Sequence, residues 1–163
     1  MRPLLLSVMS LLTSLSILLA GNSLQFVILA LRAESAGFSL TVIGAMTTTY
    51  YLGYALGTLR APVFVDRFGH IRAFAALSSI ISAVVLAHGL WVEPYFWIGL
   101  RFITGLCFAG LCFAGLATVV ESWLNAKATR EVRGQLLAIA SIAAILGYAV
   151  GPMFASLGSV DGL

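Results

Sequence analysis

The chain has 163 residues, of which 61% are hydrophobic and only 9% are charged. A soluble domain carries about 25% charged residues, so this composition excludes a soluble globular protein. The high apolar content and a formal net charge of only +3 exclude a disordered chain. Two cysteines are too few for a disulfide scaffold. The class that remains is an integral membrane protein.

Five long windows of the sequence contain no Asp, Glu, Lys or Arg. A helix needs about 20 apolar residues to cross a hydrocarbon core of ~30 Å. Barrel strands are about 10 residues long and alternate in polarity, whereas these windows are continuously apolar. We therefore predict an all-α helical bundle in which short links join antiparallel neighbours. The predicted transmembrane helices are residues 4–31, 39–60, 73–92, 96–121 and 134–158.

The first window also resembles a secretory signal, since a basic start at Met1–Pro3 precedes apolar Leu4–Ala20. A signal core is about 7–15 residues long, whereas the apolar character continues to Leu31. We interpret this window as an uncleaved first helix.

The positions of lysine and arginine predict the orientation, because cytoplasmic loops carry an excess of both. With a cytoplasmic N-terminus, Arg32 is the base on the outer side, and Arg101 lies within a span. The bases on the cytoplasmic side are then Arg2, Arg60, Arg67, Arg72, Lys127, Arg130 and Arg133. We expect a multi-pass protein of the cell inner membrane with its N-terminus in the cytoplasm.

The aromatic residues agree with this orientation. Trp91, Tyr95 and Trp97 fall near the outer interface, where aromatic belts form. His88 lies close to them in sequence and is expected to be another belt residue, and Trp123 falls at the inner interface.

A six-residue segment recurs in the second and fifth windows, since Leu52–Gly57 and Leu146–Gly151 are identical at five of six positions. The two predicted spans run in opposite directions, as an inverted three-helix repeat requires. Coincidence among residues common in membrane helices explains the match equally well.

Two glycine pairs in these segments predict close helix packing, because small residues spaced by four let backbones approach. The pairs are Gly53 with Gly57 and Gly147 with Gly151. Pro152 removes a backbone hydrogen bond and favours a kink in the fifth helix. Static packing and the rocking of one helix against another would use the same surface.

The predicted loop Pro62–Arg72 combines an acid, a glycine and several bases. Gly69 permits a positive φ. Asp66 can accept hydrogen bonds from the first N–H groups of the third helix or pair with a base. An ordinary cytoplasmic loop needs neither residue.

The spacing Asp66-Arg67-x-Gly69-x-x-Arg72 resembles the signature between helices 2 and 3 of the major facilitator superfamily. Pro62 replaces the first glycine of that signature, and His70 replaces an arginine. The next basic residue, Arg72, lies one position later than in the signature.

Two further motifs and two shorter stretches extend the resemblance over nearly the whole chain. Arg101–Gly105 resembles the R-x-x-x-G motif of helix 4, and Gly147–Pro152 resembles the G-x-x-x-G-P motif of helix 5. Gly69–Phe74 and Glu121–Asn125 are similar to a bacterial subfamily of sugar- and drug-transporter-like proteins.

The resemblance implies a major-facilitator bundle, here the first five helices of an N-terminal six-helix half. It also implies alternating-access transport of a small-molecule solute across the lipid bilayer, coupled to H⁺ or Na⁺ or run as exchange. The missing C-terminal helices are expected in the intact protein, so we expect no transport by residues 1–163 alone. A non-transporting membrane scaffold and a small homo-oligomeric transporter are the alternatives.

By the same resemblance, Glu121 joins a gating charge relay with the signature residues. The members of this relay are Asp66, Arg67, Gly69, His70, Arg72 and Glu121. Local pairing of Glu121 with Lys127 or Arg130 is the alternative.

The substrate or coupling site is predicted from polar residues inside the spans. Arg101 at mid-membrane costs about 2.5–3.5 kcal/mol on insertion scales. Either it faces the bundle interior and binds an anionic group, a proton-coupled partner or backbone carbonyls, or its side chain extends to the outer interface. Asn22, Gln25 and Arg101 are predicted to line one cavity in the outer half, with interhelical hydrogen bonding as the alternative.

The sequence contains no phosphate-binding loop, no metal-ligand spacing and no nucleophile–base pair. We therefore expect neither an enzyme nor a cofactor or metal. Basic residues are divided among several loops, which gives no support to a nucleic-acid partner.

Overall fold

The structure, a computed structural model, describes residues 2–125 and 130–155, with side chains over most of 13–114 and 138–155. Throughout these ranges the regular elements are α-helices, which confirms the all-α prediction. They are α1 (Arg2–Ser35), α2 (Leu40–Phe68), α3 (His70–Leu90), α4 (Pro94–Asn125) and α5 (Arg130–Ala155). The helices form two compact units, Met1–Arg32 with Val119–Leu163, and Ala33–Thr118.

A short turn joins α1 to α2. Gly37 has φ +78° and donates a backbone hydrogen bond to the carbonyl of Glu34 at 3.0 Å, and Phe38 donates to Ala33 at 2.9 Å. The hydroxyl of Ser39 then accepts from Val42 N–H and caps the start of α2. The turn therefore depends on a glycine followed by a serine.

The prediction that Pro62–Arg72 forms a loop is wrong, because α2 continues to Phe68 and α3 begins at His70. Gly69 alone joins the two helices, with φ +80°. The physical reason is a buried stripe at helical spacing that extends past Pro62. Its members are Met46, Tyr50, Gly53, Gly57, Ala61 and Val65.

The core of the second unit lies where α2, α3 and α4 meet. Val65, Ala73 and Ala114 form a buried cluster, against which Phe64 and Phe74 pack. The buried residues of α3 also fall at helical spacing, and they are Ala73, Leu77, Val84 and His88. Small side chains at the centre of the cluster allow the helices to approach closely.

Three described stretches are long and apolar enough to cross a membrane, namely Ser16–Ser35, His70–Leu90 and Pro94–Cys112. Ala144–Ala155 in α5 is apolar but shorter. Threonine and tyrosine residues lower the hydropathy of α2. The second and fifth membrane spans, and the exact bounds of all five, therefore stay predictions.

Candidate functional site

Arg101 lies on the buried face of α4 and is 2% exposed. Its guanidinium carbon is 4.5 Å from the ring centroid of Tyr50 on α2. This distance is within the range of a cation–π interaction, which is strongest where water is excluded. Thr104, one turn further along α4, is fully buried. Arg101 therefore faces the interior of this unit, and the alternative of a side chain extended to the interface is wrong.

Trp97 is fully buried, so the prediction that its side chain belongs to an exposed aromatic belt is wrong. Its depth at the outer interface stays a prediction. Its ring packs edge-on against Phe38 at a centroid distance of 5.3 Å and lies 5.7 Å from the ring of His88. The belt prediction for His88 is also wrong, because that side chain is 3% exposed. By contrast, Trp91 and Tyr95 are exposed, as a belt requires.

The start of α4 positions this site. Glu93 accepts a hydrogen bond from Phe96 N–H at 2.6 Å through its carboxylate, and Pro94 occupies the first helical position, where its missing N–H is harmless. The indole of Trp97 donates to the carbonyl of Trp91 at 2.8 Å. These contacts fix the first turn, and Arg101 follows on the same face one turn later.

The sequence analysis did not predict that His88, which lies next to Trp97, is buried. Its Nδ1 lies 2.7 Å from the carbonyl oxygen of Val84. The spacing from Ala73 through Leu77 and Val84 to His88 follows one helical face. This spacing is the feature of the sequence from which the burial of His88 could have been predicted.

Glycines on both helices bring α2 and α4 together at the backbone. A Cβ atom at Gly53 would overlap the carbonyl group of Phe102, and one at Gly57 would overlap that of Leu106. In the reverse direction, a Cβ at Gly105 would overlap the carbonyl of Tyr50. The order of these contacts shows that α2 and α4 run in the same direction.

The second glycine pair makes equivalent contacts inside the other unit. A Cβ at Gly147 would lie 2.6 Å from the carbonyl oxygen of Ser16, and one at Gly151 would overlap the carbonyl of Ala20. The two contacts are again four residues apart on each helix, so α1 and α5 also run in the same direction. Both glycine pairs therefore pack closely, as predicted.

These matched contacts support the inverted repeat. Under that repeat helix 4 is equivalent to helix 1, and helix 2 is equivalent to helix 5. The pair α2–α4 then corresponds to α5–α1, and both pairs use the two glycines of the recurring segment. Because glycines at this spacing favour close packing in any membrane helix, the repeat stays a prediction, and coincidence stays the alternative.

Asn22 and Gln25 lie on α1. Asn22 is buried, whereas Gln25 is half-buried and its amide nitrogen makes no hydrogen bond with the described residues. Ser23, next to Asn22, donates to the carbonyl of Ala20 at 3.0 Å. That Asn22, Gln25 and Arg101 line one cavity stays a prediction.

An apolar groove of about 630 Å³ lies between α1 and α5. Its lining includes Ile17, Gly21 and Leu24 of α1 and Gly147 and Phe154 of α5. No pattern in the sequence predicted this groove. Pro152 is inside α5 and exposed, so it does not end the helix.

At the link between α2 and α3, the positive φ predicted for Gly69 is confirmed. The interpretation of Asp66 as a cap for α3 is wrong, because Gly69 is the N-cap and no described side chain bonds to it as a cap. Asp66, Arg67 and Arg72 are exposed, and His70 is half-buried. The guanidinium of Arg67 lies 5.6 Å from the ring centroid of the neighbouring Phe68.

The remaining member of the predicted relay is Glu121. It lies on α4, but its side chain is outside the described residues, as are Lys127 and the side chain of Arg130. The gating relay therefore stays a prediction. Within the described ranges, no three His, Cys, Asp or Glu side chains are placed to bind a metal ion.

Comparison with known proteins identifies the family. The sequence profile of the Major Facilitator Superfamily matches residues 9–161. The chain belongs to the Major Facilitator Superfamily. This membership confirms the resemblance drawn from the three motifs, whereas the sugar- and drug-transporter-like subfamily stays a prediction.

Relatives in this superfamily are proteins described as uncharacterized MFS-type transporters. One, from Enterobacter sp. (strain 638), is 32% identical over 70% of this chain and 28% of its own length. YcaD of Salmonella enteritidis PT4 is 30% identical over 91% of this chain and 38% of its own length. YcaD of Escherichia coli O45:K1 is 28% identical over 94% of this chain and 39% of its own length.

This chain therefore spans less than two fifths of the length of these relatives. No solved structure matches it. Family membership establishes a multi-pass membrane protein of a transporter family and points away from an enzyme.

Proposed function

We propose that this chain supplies the first five helices of the N-terminal half of a secondary transporter. The transporter moves a small solute across the cell inner membrane by alternating access, coupled to an ion or to exchange. The N-terminus lies in the cytoplasm. The profile match over residues 9–161 and the relatives described as MFS-type transporters support this proposal.

The observation that carries the proposal is the burial of Arg101 within Pro94–Cys112, a stretch that can cross a membrane. A cation at this depth costs about 2.5–3.5 kcal/mol on insertion scales, and such residues mark substrate or ion pathways. The ring of Tyr50 supplies part of the compensation. Arg101 is therefore the residue that we propose for binding an anionic substrate group or for ion coupling.

The glycine contacts support the conformational part of the mechanism. Gly53 and Gly57 leave a smooth surface on α2, and Gly147 and Gly151 leave one on α5. Surfaces without side chains let helices shift against each other without unlocking interdigitated side chains. We propose that Asp66, Arg67, Gly69, His70, Arg72 and Glu121 take part in gating this movement.

Transport by the full-length protein that carries this chain tests the proposal. Proteoliposomes are challenged with a panel of radiolabelled hexoses, carboxylic acids and cationic drugs, and the uptake of each labelled solute is measured. Arg101→Gln should lower the rate for a transported solute at least about tenfold, as losses of buried charged contacts do. Arg60→Gln, which changes an exposed arginine on α2, is the matched control and should leave the rate unchanged.

Equal rates for the Arg101→Gln variant and the control would remove Arg101 from the mechanism. If the panel, extended to amino acids and nucleosides, yields no transported solute, the result favours a non-transporting membrane scaffold over a transporter.

A further inference from the structure

One side of α2 carries a line of exposed apolar side chains, which we call the exposed stripe. Its members, with 54%, 41%, 73% and 68% of their surface exposed, are Leu52, Leu56, Leu59 and Val63. They follow one another at four, three and four residues, so they share one side of the helix. This side differs from the face that packs on α4, where Gly53 and Gly57 are buried.

Two arginines extend the exposed stripe toward the end of α2. Arg60 follows Leu56 by four residues and Arg67 follows Val63 by four, so each lies one helical turn beyond a member of the stripe. Both arginine side chains are exposed. They are seven residues apart in sequence, which places them on the same side of the helix and about 10 Å apart along its axis.

The acid nearest to these arginines in sequence, Asp66, lies on another side of α2. Asp66 comes six residues after Arg60 and directly before Arg67, and each residue turns an α-helix by about 100°. Asp66 is therefore about 100° from Arg67 and about 120° from Arg60 around the helix. The exposed stripe thus ends in two positive charges, and this end is complementary to an anion.

The length of the arrangement matches one leaflet of a bilayer. Leu52 precedes Arg67 by fifteen residues, which is about 22 Å of helix. A bilayer is about 40–45 Å thick including its headgroups, so one leaflet is about 20–22 Å thick. Acyl chains therefore fit along the stripe while a phosphate group reaches the arginines.

The exposed arginines favour lipid over protein as the occupant of this side. A protein helix packed over it would remove both arginines from water, which is costly unless an acid pairs with each of them. A phospholipid leaves its headgroup in water, and its phosphate neutralises the arginines at the membrane surface.

We propose that this side of α2, from Leu52 to Arg67, binds an anionic phospholipid. Its phosphate pairs with Arg60 and Arg67, and its acyl chains lie along the exposed stripe. The inference rests on the membrane topology in the proposed function, which places both arginines at the cytoplasmic leaflet, where anionic lipids give the surface a negative potential. This lipid has no part in solute uptake, so Arg60→Gln should lower lipid binding and still leave the uptake rate unchanged.

Photo-crosslinking at Val63 tests the proposal in the full-length protein that carries this chain. Val63 lies between the two arginines in sequence and is exposed, and the photoreactive variant is Val63→p-benzoylphenylalanine. The protein is placed in nanodiscs of phosphatidylcholine with a minor share of phosphatidylglycerol and is illuminated. Mass spectrometry of the lipid adducts then gives the share of phosphatidylglycerol among them.

The reference is the same photoreactive residue at Leu86 on α3. Leu86 is 71% exposed and lies in a stretch that can cross a membrane. We expect the ratio of phosphatidylglycerol to phosphatidylcholine to be at least about fivefold higher at position 63 than at position 86. One base near the membrane surface changes the affinity for anionic lipid by about this factor.

Paired substitutions of the two arginines show whether their charge causes this enrichment. Arg60→Gln combined with Arg67→Gln should abolish the enrichment at position 63. Arg60→Lys combined with Arg67→Lys is the matched control and should retain it, because lysine keeps the positive charge.

Equal lipid ratios at positions 63 and 86 overturn the proposal. So does a crosslink from position 63 to another part of the protein instead of to lipid, or an enrichment that persists in the Gln variant. If circular dichroism shows that the Gln variant is unfolded, the comparison of the two positions decides alone. The measurement needs no solute, so its failure leaves the transport proposal to its own assay.

Discussion

Gly57 of α2 lies directly against the backbone of Leu106 in α4. A Cβ atom at Gly57 would come within 3.1 Å of the carbonyl carbon of Leu106 and 2.9 Å of the Cβ of Ala109. On the other helix pair, a Cβ at Gly151 would come within 2.9 Å of the amide nitrogen of Leu24. The α2–α4 pair and the α1–α5 pair therefore both depend on glycines, because a side chain at these positions would push the two backbones apart.

The first prediction concerns this contact. Gly57→Ala should destabilise the protein by about 1–3 kcal/mol, because a methyl group inserted into a close contact forces the backbones apart. Gly44→Ala on the same helix is the control, since a Cβ there would meet no described atom within 4 Å. That substitution should be neutral or stabilising by up to about 1 kcal/mol. Unfolding in mixed micelles with increasing denaturing detergent measures both.

If Gly57→Ala proves as stable as Gly44→Ala, then α2 and α4 do not pack at the distance described. The same assay should then find Gly53→Ala harmless too.

The equivalent position in α5 gives a second prediction. Gly151→Ala should also destabilise by about 1–3 kcal/mol, because its Cβ would overlap the carbonyl of Ala20 and the hydroxyl of Ser23. Gly21→Ala on α1 is the control, with no described atom within 4 Å of the added Cβ. Thermal unfolding in nanodiscs compares the two. A harmless Gly151→Ala beside a harmful Gly57→Ala would remove the structural support for the inverted repeat.

A third prediction concerns the ring beneath Arg101. Tyr50→Leu should cost about 2 kcal/mol or more, because the guanidinium loses the aromatic face 4.5 Å away and stays buried. Tyr50→Phe keeps the face and should cost no more than about 1.5 kcal/mol, the contribution of one hydrogen bond. Chemical unfolding of both variants in detergent decides. Equal losses would mean that the ring contributes packing alone.

The link at Gly69 leads to a fourth prediction. Its φ of +80° and ψ of 152° fall in a region that is essentially restricted to glycine. Gly69→Ala should therefore cost about 1–3 kcal/mol. Gly69→Asn should cost as much, because asparagine tolerates the left-handed helical region, whose ψ is far smaller. Stability after each change is read from thermal unfolding, and rescue by asparagine would contradict the described backbone.

Orientation supplies the fifth prediction. Arg72 and Glu34 are both exposed and are expected on opposite sides of the membrane. In a background with Cys107 and Cys112 replaced by alanine, a membrane-impermeant maleimide added to intact cells should label Glu34→Cys. Arg72→Cys should react only after the cells are permeabilised. The reverse pattern would place the N-terminus outside and defeat the proposed topology.

The sequence by itself determined the class, the helices and the family of this protein. With only 9% charged residues, the chain is suited to lipid, and each charge-free window became a helix because only helices satisfy every backbone group locally. The conformation of Gly69 and the close packing at Gly53, Gly57, Gly147 and Gly151 followed from residue type. Glycine has no Cβ atom, so it tolerates a positive φ and close backbone contacts that other residues do not.

Tertiary structure decided which side chains face a neighbouring helix. Trp97 and His88 looked like interface residues and are buried, Asp66 does not cap α3, and α2 continues past Pro62. The reason is that lipid tails are as apolar as a protein core. In a soluble protein, polarity marks the face that meets water; along these helices both faces are apolar, so only the packing of one helix on another shows which face is inside.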